Sequence, residues 1–168
     1  GMMDRLGREC GCATVRVDAG DVLQGTPVSN LTYGRATVAA YNAMGYAAAA
    51  IGNHEFDWTV DTLLARMREA RFTWLGANIH TTTGAHVPWA VPWRMVRAGA
   101  LRVGVVGTAS VLTPSVTRPT NVAGLRFDGG AAAVDSAVAE ARRDSADVVI
   151  LLAHDGAFCD ERTGCRGE

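Results

Sequence analysis

The sequence contains no lysine, and all 16 of its basic residues are arginine. A phosphate-binding P-loop, a Schiff-base lysine and a Ser-Lys catalytic pair each require a lysine side chain, so all three are excluded. The formal net charge is -1, and the arginines are scattered along the chain rather than clustered. Because nucleic-acid and membrane-surface binders carry a basic patch, we expect neither partner and favour a small-molecule ligand.

Long hydrophobic runs are missing as well. No stretch approaches about 18 apolar residues without a charge, and the opening GMMDRLGREC lacks the apolar segment of a signal peptide. We therefore expect no membrane span and no signal peptide in this sequence, so that any export signal would lie upstream of it. A length of 168 residues fits one domain, and we predict a single domain over residues 1–168.

Cysteine is scarce, with Cys10 and Cys12 in a C-x-C arrangement and Cys159 and Cys165 in C-x5-C. Four thiolates could in principle form a zinc site. The first pair precedes the first predicted strand and the second pair follows the last one, which places the pairs at opposite edges of a parallel sheet. We therefore do not favour a shared zinc site, and a local disulfide between Cys159 and Cys165 stays open.

Short apolar or β-branched runs alternate with helical patterns along the chain. The runs predict strands at 14–17, 47–51, 73–78, 102–108 and 147–153, and the patterns predict helices at 35–44, 60–70 and 131–144. In the second helix, Leu63 and Met67 are predicted to face the core and Arg66 to face solvent. Such alternation is typical of an α/β fold with mainly parallel β-sheet layers flanked by helices.

Polar residues stand where three of the predicted strands end. Asp21 follows the first strand, Asn53 and His54 follow the second within GNHEFD, and His154 follows the last. Each has an ordinary structural explanation, such as a turn residue or a hydrogen-bonded imidazole. Because the carboxyl ends of parallel strands meet at one edge of a sheet, the joint position of these four side chains favours a metal site there.

Five segments, taken in order, carry a family resemblance: GDVLQG (20–25), NAMGYAAAAIGNHEFD (42–57), LGANI (75–79), VGVVGT (103–108) and VVILLAHDG (148–156). Together they resemble the calcineurin-like metallophosphoesterases and, more narrowly, the catalytic domain of the 5'-nucleotidase family. The resemblance implies an αββα sandwich and hydrolysis of phosphate esters, above all nucleotide phosphomonoesters, by metal-activated water. It also implies divalent cofactors such as Mn or Zn, and a parent protein that is exported.

The resemblance also implies a role for each site residue. Asp21 would bridge two metal ions, and Asn53 and His154 would ligate one of them. His54 would face the substrate phosphate and stabilise the transition state or protonate the leaving oxygen. Asp57 would hydrogen-bond to the His54 imidazole and keep it charged. Glu55, between the two, is expected to be a structural hydrogen-bond acceptor.

The sequence departs from the family pattern at both ends. No D-x-H motif precedes Asp21, and no histidine follows His154, so the closing G-H-x-H motif is absent. We therefore expect an incomplete sandwich, a truncated domain that holds at most one metal ion in place of two. The missing first strand would leave a sheet edge exposed, through which the chain could self-associate.

Two alternatives stay open. In the first, the chain is catalytically silent and binds at most one metal ion. In the second, the family assignment holds but the bond cleaved belongs to a cyclic nucleotide, a dinucleotide pyrophosphate or a sulfur ester. Metal-dependent turnover separates the first alternative from an enzyme, and a substrate profile separates the second.

Overall fold

The computed structural model of the protein describes residues 1–160, 162 and 164–167, with side chains described for 1–156, 162 and 164. The helices of this part are α1 (Met2–Cys10), α2 (Pro27–Leu31), α3 (Arg35–Met44), α4 (Val60–Glu69), α5 (Thr113–Val116) and α6 (Ala131–Arg143), with 3-10 turns at His54–Phe56 and Pro119–Asn121. The strands are β1 (Val17–Asp18), β2 (Ala48–Ala50), β3 (Thr73–Leu75), β4 (Ile79–Thr81), β5 (Trp93–Ala98), β6 (Leu101–Thr108), β7 (Leu125–Phe127), β8 (Val148–Ala153), β9 (Ala157–Asp160) and β10 (Gly164–Gly167).

The main strands form two three-stranded sheets. The first has the order β1-β2-β3 and is parallel throughout. The second has the order β5-β6-β8, in which β6 and β8 are parallel and β5 runs antiparallel to β6. Two antiparallel pairs, β4 with β7 and β9 with β10, lie outside these sheets. The predicted parallel layers are therefore present, divided between two sheets.

Strand β5 was not predicted, and its position follows from a tight turn. Ala98 pairs directly with Leu101, so a two-residue loop joins β5 to β6. Gly99, the first residue of that loop, has φ +60°, in the left-handed region that such hairpin turns require and that glycine adopts without strain. This hairpin adds an antiparallel strand to an otherwise parallel sheet.

The layers follow from the alternation of side chains along each strand. Between the sheets lie Ala48, Ala50 and Leu75 of the first sheet and Val103, Val105 and Leu152 of the second. On the outer face of the first sheet, Ala49 packs in one cluster with Val38 of α3 and Leu63 of α4. On the outer face of the second sheet, Val106 packs with Ala137 of α6. The order helix, sheet, sheet, helix confirms the αββα arrangement.

In helix α4, one residue differs from its predicted exposure. Leu63 is buried and Met67 partly buried, as predicted, but Arg66 is also buried although it was expected to face solvent. Its guanidinium reaches Glu69 Oε1 at 2.9 Å. A long apolar stem lets an arginine pack against the core while its guanidinium pairs with a neighbouring carboxylate, so a charged residue in a helical pattern is not a reliable marker of exposure.

The structure shows a disulfide in one of the two cysteine pairs and only the backbone of the other. Cys10 and Cys12 are joined by a disulfide, which their sequence spacing did not indicate. The backbone of Cys159 lies opposite that of Cys165 in the β9–β10 pair. Their side chains are outside the described residues, so the question of that disulfide stays open. In the described part of the chain, no helix has the length and apolar character needed to cross a bilayer.

Candidate active site

The predicted ligands meet at the carboxyl ends of strands from both sheets. Asp21 and Asn53 follow β1 and β2 of the first sheet, whereas His154 follows β8 of the second. The expectation that all three lie at one edge of one sheet is therefore wrong. The backbone N–H of His154 donates to Thr108 O at 3.0 Å, which holds the end of β8 beside the end of β6. The site thus lies where the two layers of the sandwich meet.

The three side chains converge on the His154 imidazole. Its Nε2 atom lies 3.3 Å from Asp21 Oδ1 and 3.2 Å from Asn53 Oδ1. Its Nδ1 atom lies 2.8 Å from the carbonyl oxygen of Ala19. Because a carbonyl oxygen can only accept, Nδ1 is the donor in that bond. The bond orients the ring so that Nε2 faces the two oxygens, as in histidines that ligate metals.

The spacing of these donors fits a divalent ion. Ligand atoms at about 2.0 to 2.2 Å from an ion, in tetrahedral or octahedral arrangement, lie roughly 3.0 to 3.4 Å from each other. In the described part of the chain, no group of three or more His, Cys, Asp or Glu side chains could hold a metal. The candidate donor set has only two side chains of those types, Asp21 and His154, and its third donor is the amide oxygen of Asn53. Together these three donors could hold one ion.

The local charges couple the Asp21 carboxylate to the His154 imidazole. The hydrogen bond to Asp21 raises the pKa of His154 to about 9, although burial opposes this. Burial disfavours ionisation of Asp21, but His154 and the backbone N–H of His54 hold the pKa of its carboxyl below the usual range. A metal ion would have to displace the proton on Nε2, because an imidazole ligates only in its neutral form.

Two glycines, Gly20 and Gly52, allow the backbone to lie close to the Asp21 and His154 side chains. A Cβ on Gly52 would lie 2.3 Å from Asp21 Oδ1, and a Cβ on Gly20 would lie 2.6 Å from His154 Nδ1. Gly20 also has φ +113°, which non-glycine residues rarely adopt. Asp21 itself has φ +64°, and such strain in a non-glycine residue recurs at functional sites. The first glycine of GDVLQG and the glycine of GNHEFD are thus explained by crowding around the ligands.

Glu55 fixes the two ligand-bearing loops to each other. Its carboxylate is fully buried and accepts hydrogen bonds from the backbone N–H groups of Asp21 at 2.9 Å, Leu23 at 3.0 Å and Gly52 at 2.6 Å. These bonds confirm its prediction as a structural acceptor. Burial raises the pKa of Glu55 to about 7, against the effect of the backbone donors. The residue therefore orients Asp21 and Asn53 without being a ligand candidate.

His54 and Asp57 form the pair that the sequence pattern indicated. His54 Nδ1 lies 2.7 Å from Asp57 Oδ2. The backbone N–H of His54 donates to Asp21 Oδ1 at 3.0 Å, which places the pair directly beside the ligand cluster. The His54 side chain is 37% exposed. With Nδ1 engaged by Asp57, Nε2 is the atom that can reach a substrate.

A pocket of about 300 Å³ opens beside the ligands. It is lined by Asn53, Ser110, Leu112, Val116, His154, Asp155 and Gly156. The segment 110–116 was not singled out in the sequence, although it follows a predicted strand. The strand-end argument, applied to 102–108 as to the other strands, would have placed Ser110 at this edge. The pocket gives a small ligand access to the face of Asn53 and His154.

Sequence comparison finds relatives among the 5'-nucleotidases. A scan against protein-family models finds no match. The chain is 31% identical over 150 residues to the snake venom 5'-nucleotidase of Gloydius brevicauda, which covers 87% of this chain and 25% of that relative. The chain thus spans about a quarter of the length of the curated relatives it matches first.

Two solved structures share the fold. The 5'-nucleotidase precursor of Thermus thermophilus superposes with a TM-score of 0.76 at 27% identity, over 84% of this chain and 28% of that one. The calcineurin-like phosphoesterase YfkN of Bacillus subtilis superposes with a TM-score of 0.79 at 22% identity, over 99% of this chain and 54% of that one. The sandwich is therefore the calcineurin-like phosphoesterase fold.

Proposed function

Because the chain belongs to the 5'-nucleotidase family of the calcineurin-like phosphoesterases, we propose that the protein hydrolyses phosphate esters, chiefly nucleotide phosphomonoesters, with the help of a divalent metal. One observation carries the proposal. Asp21 Oδ1 and Asn53 Oδ1 lie 3.3 Å and 3.2 Å from His154 Nε2, beside an imidazole-carboxylate pair. This combination joins a cation-binding donor set to a group that can transfer a proton.

Asp21, Asn53 and His154 would hold the ion. When bound, a divalent ion such as Mn²⁺ or Zn²⁺ neutralises phosphate charge and lowers the pKa of a bound water from 15.7 towards about 7. Asp21, with two carboxylate oxygens, would bridge to a second ion in a complete site of this family. The residues described here supply ligands for at most one ion. The D-x-H motif, which carries ligands for the other ion in the family pattern, is not among them.

His54 would act on the substrate side of the site. Asp57 accepts from Nδ1, so an imidazolium at His54 would direct its Nε2–H to the substrate. From there His54 can donate to a phosphate oxygen as negative charge develops, or to the leaving oxygen as the ester bond breaks. General acid catalysis of this kind is typically worth about 10² to 10⁴ in rate.

Export is the localisation that the relatives favour. The name of the Gloydius brevicauda relative places that enzyme in venom. We propose that the parent protein is likewise exported, so that its substrates are nucleotides outside the cytoplasm. The disulfide between Cys10 and Cys12 suits an oxidising compartment.

Phosphate release tests the proposal. The purified chain is incubated with 5'-AMP and with p-nitrophenyl phosphate in the presence of Mn²⁺, beside an Asp21→Asn variant and an Asp61→Asn control in the exposed first turn of α4. We expect turnover that requires Mn²⁺, is lost in Asp21→Asn and is kept in Asp61→Asn. No turnover above the Asp21→Asn level would contradict activity of this chain and favour a silent metal-binding unit.

The role of His54 is separable from metal binding. We expect His54→Gln to keep the Mn²⁺ affinity of the unmodified chain, because its side chain is not in the ligand set, and to lower kcat on the order of 10². Calorimetric titration with Mn²⁺ gives the affinity independently of turnover. A loss of Mn²⁺ binding in His54→Gln would instead place this imidazole among the metal ligands.

A further inference from the structure

We propose that Asn121 is a positioning residue that orients the His54–Asp57 pair, an inference that rests on the proposed hydrolytic function. Asn121 lies 64 residues beyond Asp57 in the sequence and ends the 3-10 turn Pro119–Asn121. It belongs to none of the motifs that carry the family resemblance. Its side chain nevertheless reaches the segment that holds both members of the pair.

The contact has a specific geometry. Asn121 Nδ2 donates to the carbonyl oxygen of Phe56 at 2.8 Å and to that of Asp57 at 3.0 Å. These two carbonyl groups belong to the peptide units on either side of the Asp57 α-carbon. Holding both units fixes the backbone torsions of Asp57, and so the direction in which its carboxylate leaves the chain. That carboxylate is the group 2.7 Å from His54 Nδ1.

The turn alone holds Asp57 less firmly. The hydrogen bond that closes the end of the 3-10 turn, from Asp57 N to His54 O, is 3.3 Å long. Carbonyl groups at the end of a helical turn have no partner within the turn and need a side chain or water. Asn121 supplies one donor group to two such carbonyls. Without it, the pair would be attached through the turn, the burial of Phe56 and the bond from the His54 backbone N–H to Asp21 Oδ1.

Asn121 is itself held by the protein core. The next residue, Val122, is 4% exposed and packs in the same cluster as Phe56. The backbone N–H of Asn121 donates to Arg118 O at 2.9 Å. Shortly before this segment, Val116 lines the pocket beside the ligands. Asn121 therefore reaches the pair from a segment that is anchored in the core.

Apart from the bond that the His54 backbone N–H donates to Asp21 Oδ1, the metal ligands have a support of their own. Glu55 holds the backbone of Asp21 and Gly52 through bonds in which Asn121 takes no part. Loss of the Asn121 amide should therefore disturb the pair and leave the donor set intact. This separation distinguishes a positioning role from a general contribution to stability.

The test uses Asn121→Ala and a matched control, Asn42→Ala. Asn42 Nδ2 also donates to a backbone carbonyl, that of Glu69 at 2.8 Å, where α3 meets the end of α4. Imidazole proton-nitrogen NMR correlations report the His54 Nδ1–H that is bonded to Asp57, with His54→Gln as the assignment control. Turnover of 5'-AMP and calorimetric titration with Mn²⁺ are measured on the same variants.

In Asn121→Ala we expect the His54 Nδ1–H signal to move or broaden, kcat to fall on the order of ten- to hundredfold with a smaller change in KM, and Mn²⁺ affinity to be unchanged. In Asn42→Ala all three stay as in the unmodified chain. The inference would be overturned if Asn121→Ala showed the same His54 Nδ1–H signal and the same kcat as Asn42→Ala. It would also be overturned if Asn121→Ala lost Mn²⁺ binding together with kcat.

Failure of the proposed function leaves this inference testable. If the chain shows no turnover, the His54 signal decides alone, because it reports the pair without substrate. If Asn121→Ala does not fold, Asn121→Asp keeps the side-chain size and replaces the donor with an acceptor. It should then displace the His54 signal in the same way, and an unchanged signal in that variant overturns the inference.

Discussion

The carboxylate of Glu55 accepts a 2.9 Å hydrogen bond from the backbone N–H of Asp21, 34 residues earlier in the chain. The same carboxylate accepts from Gly52, next to Asn53. A buried acid thus sets the relative position of two candidate metal ligands without contacting the metal position itself. The geometry of the site therefore depends on a residue whose own role is structural.

Replacement of Glu55 by Gln should destabilise the fold. One carboxylate oxygen becomes an NH₂ group that faces backbone N–H donors, so a buried donor loses its acceptor. We expect the free energy of unfolding to fall by about 1 to 3 kcal/mol. Urea denaturation at about pH 8, above the Glu55 pKa of about 7, measures the change. Glu9→Gln, on the exposed face of α1, should stay within about 0.5 kcal/mol, and equal losses in both variants would contradict the prediction.

A methyl group on Gly52 should weaken metal binding. Its Cβ would lie 2.3 Å from Asp21 Oδ1 and 2.6 Å from Asp21 N, so the Asp21 side chain must move. We expect Gly52→Ala to lower Mn²⁺ affinity about 10- to 100-fold in calorimetric titrations. A Cβ on Gly129 would meet no heavy atom within 4 Å, so Gly129→Ala is the matched control. Unchanged affinity in Gly52→Ala would show that Asp21 can relocate without losing the ion.

Tyr41 should control part of the alkaline stability. Burial and a 2.9 Å hydrogen bond to Asp18 raise the pKa of Tyr41 above its usual value. A raised folded-state pKa gives stability that is complete below the unfolded value of about 10 and is lost as the pH rises above it. Because the chain has no lysine, few other groups titrate in this window.

We therefore expect the free energy of unfolding to fall between about pH 9 and pH 11, and to fall less in Tyr41→Phe than in the unmodified chain. Urea denaturation at a series of pH values measures the slopes. Tyr33→Phe, at an exposed tyrosine, is the control and should keep the original slope. Identical slopes in Tyr41→Phe and the unmodified chain would rule out this role for the buried phenol.

The exposed edge of the second sheet should mediate self-association. In the described part of the chain, β8 pairs with β6 alone, and its sequence VVILLA has no charge. Val148, Ile150 and Leu151 are 41%, 37% and 46% exposed. An uncharged apolar edge strand can pair with a second copy. We expect concentration-dependent association by sedimentation velocity, reduced in Ile150→Lys and kept in Val28→Lys on α2. A monomer at every concentration would contradict this.

Much of the local structure could be read from the sequence because its causes are local. The apolar spacing at 35–44 predicted a helix that matches Arg35–Met44, and the mainly apolar run at 147–153 predicted β8. The segment GNHEFD identified Asn53, His54 and Asp57. The 2.7 Å contact between His54 Nδ1 and Asp57 Oδ2 confirms the predicted hydrogen bond between those two side chains. Helical and strand periodicities, and hydrogen bonds between residues three apart, act over a few residues, so a short window of sequence contains them.

The tertiary structure alone decided how distant segments meet. It divided the strands between two sheets, buried Arg66, and brought Asn121 to the carbonyl groups beside Asp57. It also placed His154 within 3.2 Å of Asn53 across 101 residues of chain. Such contacts depend on how whole layers pack, and the spacing of residues along one segment does not encode which other segment will cover it. The sequence by itself therefore determined the elements and the chemistry of the site residues, while the packing of two sheets determined the site's geometry.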